Sequence, residues 1–253
     1  MLKSHCLFEP GKERVERMEF IRDYASIRQE LQLVEEFTRI NQGADEFPIH
    51  HFLDNREALQ KAELEGTYLL AQEVFDVWRS LDSIRAILHF FKSDEDDNYP
   101  ALGELCKPVK VFPFVQDRIQ KILNKHGNIR DNASATLHRI RRSQQEKQGA
   151  VSKKLNQVLN KARKEGWVDA EAAPTFRNDR PVIPVMAGNK RKLGGLIHDE
   201  SATGKTVFIE PAEVVELSNE IRELEYAERR EIIQILLEFT EDIRPYIPDL
   251  IAS

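Results

Sequence analysis

Apolar residues recur at three- and four-residue spacing through most of this sequence, and that period gives way to short β-branched runs only after Gly166. Residues 10–20 read as a short charged helix. Asp23 can cap the next one, where Ile27, Leu31, Val34, Phe37 and Ile40 form an apolar stripe. Asn41-Gln42-Gly43 ends it, since glycine accepts the left-handed conformation at a helix C-terminus. Residues 52–64 predict a further helix, stopped by Gly66. Residues 69–91 predict the most apolar one, with Leu70, Val74, Val77, Leu81, Ile84 and Leu88 on one face and Phe75, Trp78 and Ile87 widening it, and it supplies the core of an N-terminal helical body. Residues 99–106 and 114–123 follow as shorter helices.

A break at residues 127–132 precedes a long helix over residues 133–165, capped by Ser134 or Asn132. At 1.5 Å per residue it reaches about 50 Å. Its apolar positions are thin (Leu137, Ile140, Val151, Leu155, Val158, Leu159), so it projects or pairs with one antiparallel neighbour. After Gly166, residues 175–178 and 182–186 read as strands, with Pro181 and Pro184 placing the second at an edge or interrupting it. Residues 188–192 form a basic turn. Residues 193–197 and 205–209 are two more strands, separated by a polar loop over 199–204. Pro211 opens a second long helix, to about residue 243, in which Val214, Leu217, Ile221, Leu224, Ile232, Ile235, Leu236 and Phe239 repeat at helical spacing. The layout is a helical body, a long helix out, a small β tip, and a long helix back.

Charge sharpens this picture. The 253 residues carry a formal net charge of −6. Residues 121–206, however, hold 18 Lys and Arg against 8 Asp and Glu, a local +10, which leaves 19 basic and 35 acidic residues elsewhere. Nucleic-acid contact needs such a local basic field. The two cysteines, Cys6 and Cys106, make neither a metal cluster nor a disulfide framework. No apolar run reaches the roughly 20 residues of a membrane span, the start lacks a signal peptide's zones, and the expected location is cytoplasmic.

Motifs for catalysis are missing. Ala202-Thr-Gly-Lys-Thr206 ends like a phosphate-binding loop, but the pattern needs Gly where Asp199 stands, and Lys205-Thr206 leads into a strand. His198, Asp199 and Ser201 sit too close on one turn to converge as a triad. His50-His51 has no metal partners nearby, and the acidic run at residues 94–98 reads as a solvated turn. Basic residues carry more. The outgoing helix bears Arg139, Arg141, Arg142, Lys147, Lys153, Lys154, Lys161, Arg163 and Lys164, and the tip bears Arg177, Arg180, Lys190, Arg191 and Lys192. Spaced cations neutralise phosphates without reading sequence. Aromatics near the tip are few (Trp167, Phe176, Phe208), which disfavours stacking on single strands. The contact set read from charge and position is Lys190, Arg191, Lys192, Arg177, Arg180, Lys161 and Lys164.

Phe176-Arg-Asn-Asp-Arg-Pro-Val-Ile-Pro-Val185, the run from Gly195 to Pro211, and Val214-Val-Glu-Leu-Ser-Asn-Glu-Ile-Arg-Glu-Leu224 resemble the clamp and returning lever helix of MutS proteins. The match is closest to the bacterial MutS-II branch, the anti-recombination and ribosome-associated relatives of mismatch-repair MutS. Gly127-Asn-Ile-Arg-Asp-Asn-Ala-Ser134 resembles that branch's entry into the lever. Ser218 departs from it, since the family usually has Asn there. The resemblance implies a mainly α fold: a helical core (residues 1–126), an outgoing helix with a small antiparallel β clamp (127–210), and a returning lever helix (211–253). It also implies that ATP, Mg and the Walker motifs belong to an ATPase domain, and nuclease activity to an Smr domain, neither of which is in this sequence. The chain is then an excised part without catalysis of its own. Its parent would be a homodimer that closes clamps on duplex or branched DNA, or acts on the ribosome through ribosomal RNA. No small-molecule substrate is implied. Two functions stay open: a nucleic-acid clamp that relays ATP state, and a mechanical arm that docks on protein or ribosome and binds no free DNA.

Overall fold

Short side chains and glycines set the helix ends. Asp23 accepts a hydrogen bond from the Ser26 backbone N–H at 2.8 Å, and Ser134 Oγ accepts one from Leu137 at 2.9 Å, so each closes the first turn of a helix whose N–H groups lack partners. Those helices are α2 (Tyr24–Gln42) and α7 (Ala135–Lys164) in a computed structural model that describes residues 2–43, 47–48, 53–93 and 98–252. The elements run α1 (Glu9–Glu16), α2 (Tyr24–Gln42), α3 (Arg56–Ala62), α4 (Ala71–Lys92), α5 (Pro100–Cys106), α6 (Pro113–Ile122), α7 (Ala135–Lys164), β1 (Thr175–Arg177), β2 (Arg180–Met186), β3 (Gly195–Glu200), β4 (Thr206–Pro211), α8 (Ala212–Ile243) and α9 (Ile247–Ala252). The fold is mainly α with one small antiparallel sheet, as the sequence leads one to expect. His50, His51, Phe52 and residues 94–97, which include the start expected for the helix over 52–64 and most of the acidic turn, lie outside the described residues. Two compact units are present: Met1–Ala133 with Gln234–Ser253, and Ser134–Ile233.

In the first unit, Val74, Val77, Leu81, Val115, Ile119, Phe239, Ile243 and Ile247 are buried. Thr240 Oγ1 accepts the Leu69 N–H at 3.0 Å and donates to the Leu236 carbonyl at 2.7 Å, which satisfies a buried backbone donor. The stripe on α2 departs from expectation over most of its length, although Ile40 near its C-terminal end is buried. Leu31 and Val34 are 64% and 63% exposed, and Ile27 also lies in solvent. The reason is Glu36, which lies on the opposite helical face. Its buried carboxylate accepts the backbone N–H groups of Ala101 (3.1 Å) and Leu102 (2.9 Å), in the first turn of α5. A carboxylate there meets unpaired N–H groups and the positive end of the helix dipole. Gly43 ends α2 in an extended conformation (φ −77°), not a left-handed one. On the surface, the Arg56 guanidinium forms two bonds to Glu13 (2.8 and 2.7 Å) and two to Asp54 (2.8 and 2.5 Å), and it holds both carboxyls below the usual carboxylate range.

In the second unit, α7 and residues 212–233 of α8 run antiparallel. Ser134 Oγ donates to Glu231 at 2.6 Å, Arg141 Nε reaches Glu228 at 2.8 Å, and Lys147 pairs with Glu220. The thin stripes meet each other and the sheet: Val151, Leu155, Val158, Leu159 and Ala162 share a core with Ile183, Val185, Val207, Ile209 and Val214. The sheet order is β1-β2-β4-β3, all antiparallel. β2 is therefore interior despite its two prolines. Each half of β2 has only one neighbour, however: Pro181 faces Phe176 of β1, and Pro184 faces Phe208 of β4. Each proline thus occupies a locally edge position, where a missing N–H leaves no ladder unfilled. Asn178 and Asp179 both take positive φ (51° and 59°) in the two-residue β1–β2 turn, the conformation that matches strand twist. The polar loop is shorter than expected, because β3 extends through His198 and Asp199 with a bulge between Ile197 and Asp199. Pro211 ends β4, and α8 starts one residue later.

Candidate nucleic-acid interface

α7 ends in a basic turn, Lys161, Arg163 and Lys164, where cations favour the negative end of the helix dipole. Gly166 then takes φ +67°, and the Trp167 N–H reaches back to the Ala162 carbonyl at 2.8 Å, closing the helix. Two bonds tie the basic turn after β2 to this point. The Met186 N–H donates to the Trp167 carbonyl at 3.1 Å, and Asn189 Nδ2 donates to the Gly166 carbonyl at 3.2 Å. The Ala187 N–H donates to the Lys205 carbonyl at 2.9 Å, and the Lys192 N–H to the Asn189 carbonyl at 2.8 Å. The fold thus brings the end of α7, residues 187–192 and Lys205 to one end of the second unit.

Lys161, Lys164, Lys190, Arg191 and Lys192 are all exposed there, and among the described residues none of the five forms an ion pair with a carboxylate. Arg163 differs, donating to the Ala172 carbonyl at 2.5 Å. Carboxylates share this end: Asp169 and Glu171 line an open depression with Gly188 and Lys205.

Arg177 and Arg180 sit elsewhere. They flank the β1–β2 turn, at the far end of β2 from residues 187–192, a distance of about 20 Å at 3.3 Å per residue. Arg177 Nε lies 3.1 Å from Asp199 Oδ2, and its guanidinium is 4.1 Å from the Phe208 ring centroid. Arg180 Nη1 lies 3.5 Å from Oε1 of Glu210, whose carboxylate is fully buried and also meets His198 Nε2 at 2.8 Å. By charge and position in the sequence, all seven cations are alike. The structure joins five and engages two with carboxylates. It also adds residues the reading missed: Lys205, the Glu210–His198 pair, and Ser218, Arg222, Tyr226 and Arg229 of α8, which line a groove beside the β1–β2 turn. The Ser218 to Arg229 spacing was present as one helical face, but nothing in sequence brings the turn against it.

Residues 202–206 do not fit a nucleotide phosphate. Gly204 (φ +66°) closes a turn in which its N–H donates to the Ser201 carbonyl at 2.8 Å, and Thr206 begins β4 rather than a helix. Among the described residues no three His, Cys, Asp or Glu side chains converge for a metal, and no helix is long and apolar enough to cross a membrane.

No family model matches the chain. It is similar along nearly its whole length to proteins named Endonuclease MutS2. It is 34% identical to that of Alkaliphilus metalliredigens over 250 residues, 98% of this chain and 31% of the relative. It is 31% identical to that of Geobacillus sp. over 254 residues, 100% of this chain and 32% of the relative. It is 33% identical to that of Clostridium botulinum strain Alaska E43 over 237 residues, 93% of this chain and 30% of the relative. The chain spans about a third of the length of the curated relatives it matches. The resemblance to the MutS-II branch thus extends beyond residues 127–225, where the motifs lie.

Proposed function

From its kinship with MutS2 proteins along nearly its whole length, we propose that this chain is a lever and clamp region, and that its sheet-bearing unit grips the phosphate backbone of nucleic acid. One observation carries the reading: Lys161, Lys164, Lys190, Arg191 and Lys192, exposed and not committed to carboxylates, share one end of that unit. Free cations release condensed counterions when they meet phosphates, which gives affinity without base reading. The β1–β2 cations contribute less, since Arg177 and Arg180 already face Asp199 and Glu210. In this reading α7 and α8 are the levers, and their ion pairs let them move as one piece when an ATPase elsewhere in a longer protein changes state. Endonuclease chemistry, ATP hydrolysis and dimerisation are assigned to such a longer protein and not to these residues.

Fluorescence anisotropy of the purified chain with labelled duplex and four-way-junction DNA tests the proposal. Reversal of Lys190, Arg191 and Lys192 to Glu is expected to weaken binding by at least tenfold, while Lys125→Glu in the other unit leaves it within twofold, as expected for about 1 kcal/mol per lost contact. Equal affinity in all three proteins contradicts it.

The second reading, a docking arm for protein or ribosome, draws on Asp169 and Glu171, which place negative charge beside the cations. Capture of ribosomal components together with no binding of free DNA favours it.

A further inference from the structure

Phe176 and Tyr226 are large aromatic side chains that the fold leaves in solvent, 69% and 50% exposed. Both line one groove of about 350 Å³ between the β1–β2 turn and the middle of α8. Arg180, Arg222 and Arg229 line it too. Among the described residues Arg222 has no hydrogen-bond or ion-pair partner, and the Arg229 guanidinium lies 4.8 Å from the Tyr226 ring centroid. One further atom in the groove's lining residues stands out. Ser218 is 7% exposed, and its Oγ has no hydrogen-bond partner. A buried polar atom without a partner is costly.

We infer that this groove is a subsite for one unpaired nucleotide of DNA or RNA. Its parts match what such a ligand offers. A base stacks on an exposed aromatic face or on a guanidinium plane, a phosphate takes Arg222 and Arg229, and a sugar or phosphate oxygen meets Ser218. The volume is at the small end of ligand sites, where a mononucleotide fits. A bare anion fits less well, because Asp179 and Glu225 also line the groove and repel it. A nucleotide draws much of its affinity from stacking, and its base carries N–H donors for those carboxylates. The base must be unpaired, since a base within a duplex has both faces stacked already. The inference rests on the reading of this unit as a nucleic-acid grip. It adds a point of contact about 20 Å along β2 from the basic end, so that a duplex and an adjoining single strand can be held together.

The test compares short oligo-dT, short oligo-rU and a blunt duplex by anisotropy on the 253-residue chain. The proteins are wild type, a Phe176→Ala and Tyr226→Ala double variant, Tyr226→Phe, Arg222→Ala, and the Glu reversal of residues 190–192, with circular dichroism to confirm folding. Loss of a stacked base predicts a drop in single-strand affinity of about tenfold in the double variant and a loss in Arg222→Ala, with duplex affinity unchanged and Tyr226→Phe close to wild type. Photocross-links from 5-iodouracil are then expected in the peptides that contain Phe176 or Tyr226, and the oligonucleotide that is held shows whether DNA or RNA is the source. Equal single-strand affinity in wild type, the double variant and Arg222→Ala overturns the subsite while leaving the basic grip intact. If wild type binds none of the three probes, the grip itself falls, and the subsite with it.

Discussion

Glu210 Oε2 lies 2.8 Å from His198 Nε2, so a carboxylate with no solvent exposure sits beside an imidazole on the neighbouring strand. The bulge between Ile197 and Asp199 interrupts the β3–β4 register at this histidine. Gly195 opens β3 at φ +155°, where a Cβ would collide with the Glu210 carbonyl oxygen. Glu210→Ala leaves the half-buried Arg180 guanidinium without its counter-charge, and removal of one partner of a buried pair costs about 3 kcal/mol. The measurement is urea unfolding followed by a probe in the sheet-bearing unit. An unchanged midpoint contradicts this role.

Glu36 offers a second stability test. Its carboxylate holds two backbone N–H groups of α5, and Glu36→Ala leaves both unpaired in a buried setting. The expected loss is about 2 kcal/mol, with Glu36→Gln retaining part because its amide oxygen still accepts one bond. Protection of the Ala101 and Leu102 amides against hydrogen exchange is expected to fall in the alanine variant. Wild-type protection there contradicts the capping role.

The Glu13–Arg56–Asp54 cluster sets a pH dependence. Both carboxyls are lowered from ordinary values of 4.5 and 3.8, chiefly by hydrogen bonds from Arg56. They therefore bind protons more weakly in the folded state than in the unfolded one. Their contribution is complete above those ordinary values and disappears as pH falls through the lower folded ones. The stability gap between wild type and Arg56→Met is expected to be constant from about pH 5 to 8 and to close from about pH 4 toward 2. A gap that persists at low pH contradicts the assignment.

Much of this fold could be read from spacing and punctuation. Asp23, Ser134 and Gly166 mark helix ends through local chemistry, and local chemistry is what a sequence displays. Strand order could not be read this way. Pro181 and Pro184 argue for an edge strand, and only the split pairing of β2 shows how an interior strand accommodates both. The α2 stripe misled for a related reason: periodicity locates an apolar face, but the hydrogen bonds of Glu36 decide which face turns inward. At the candidate interface, charge identified the cations of residues 188–192 but could not show that Arg177 and Arg180 face carboxylates a strand length away. The groove beneath the β1–β2 turn needed tertiary contact between residues 176–180 and 218–229, which no local signal encodes.

The most direct measurement of the central claim is the salt dependence of duplex affinity. Each phosphate neutralised steepens the slope of log affinity against log salt by about 0.9. The wild-type chain is expected to show a strongly negative slope, and reversal of Lys190, Arg191 and Lys192 to flatten it by about 2 to 3. A wild-type affinity that does not change with salt, or a slope the reversal leaves untouched, contradicts a phosphate grip at this end of the molecule.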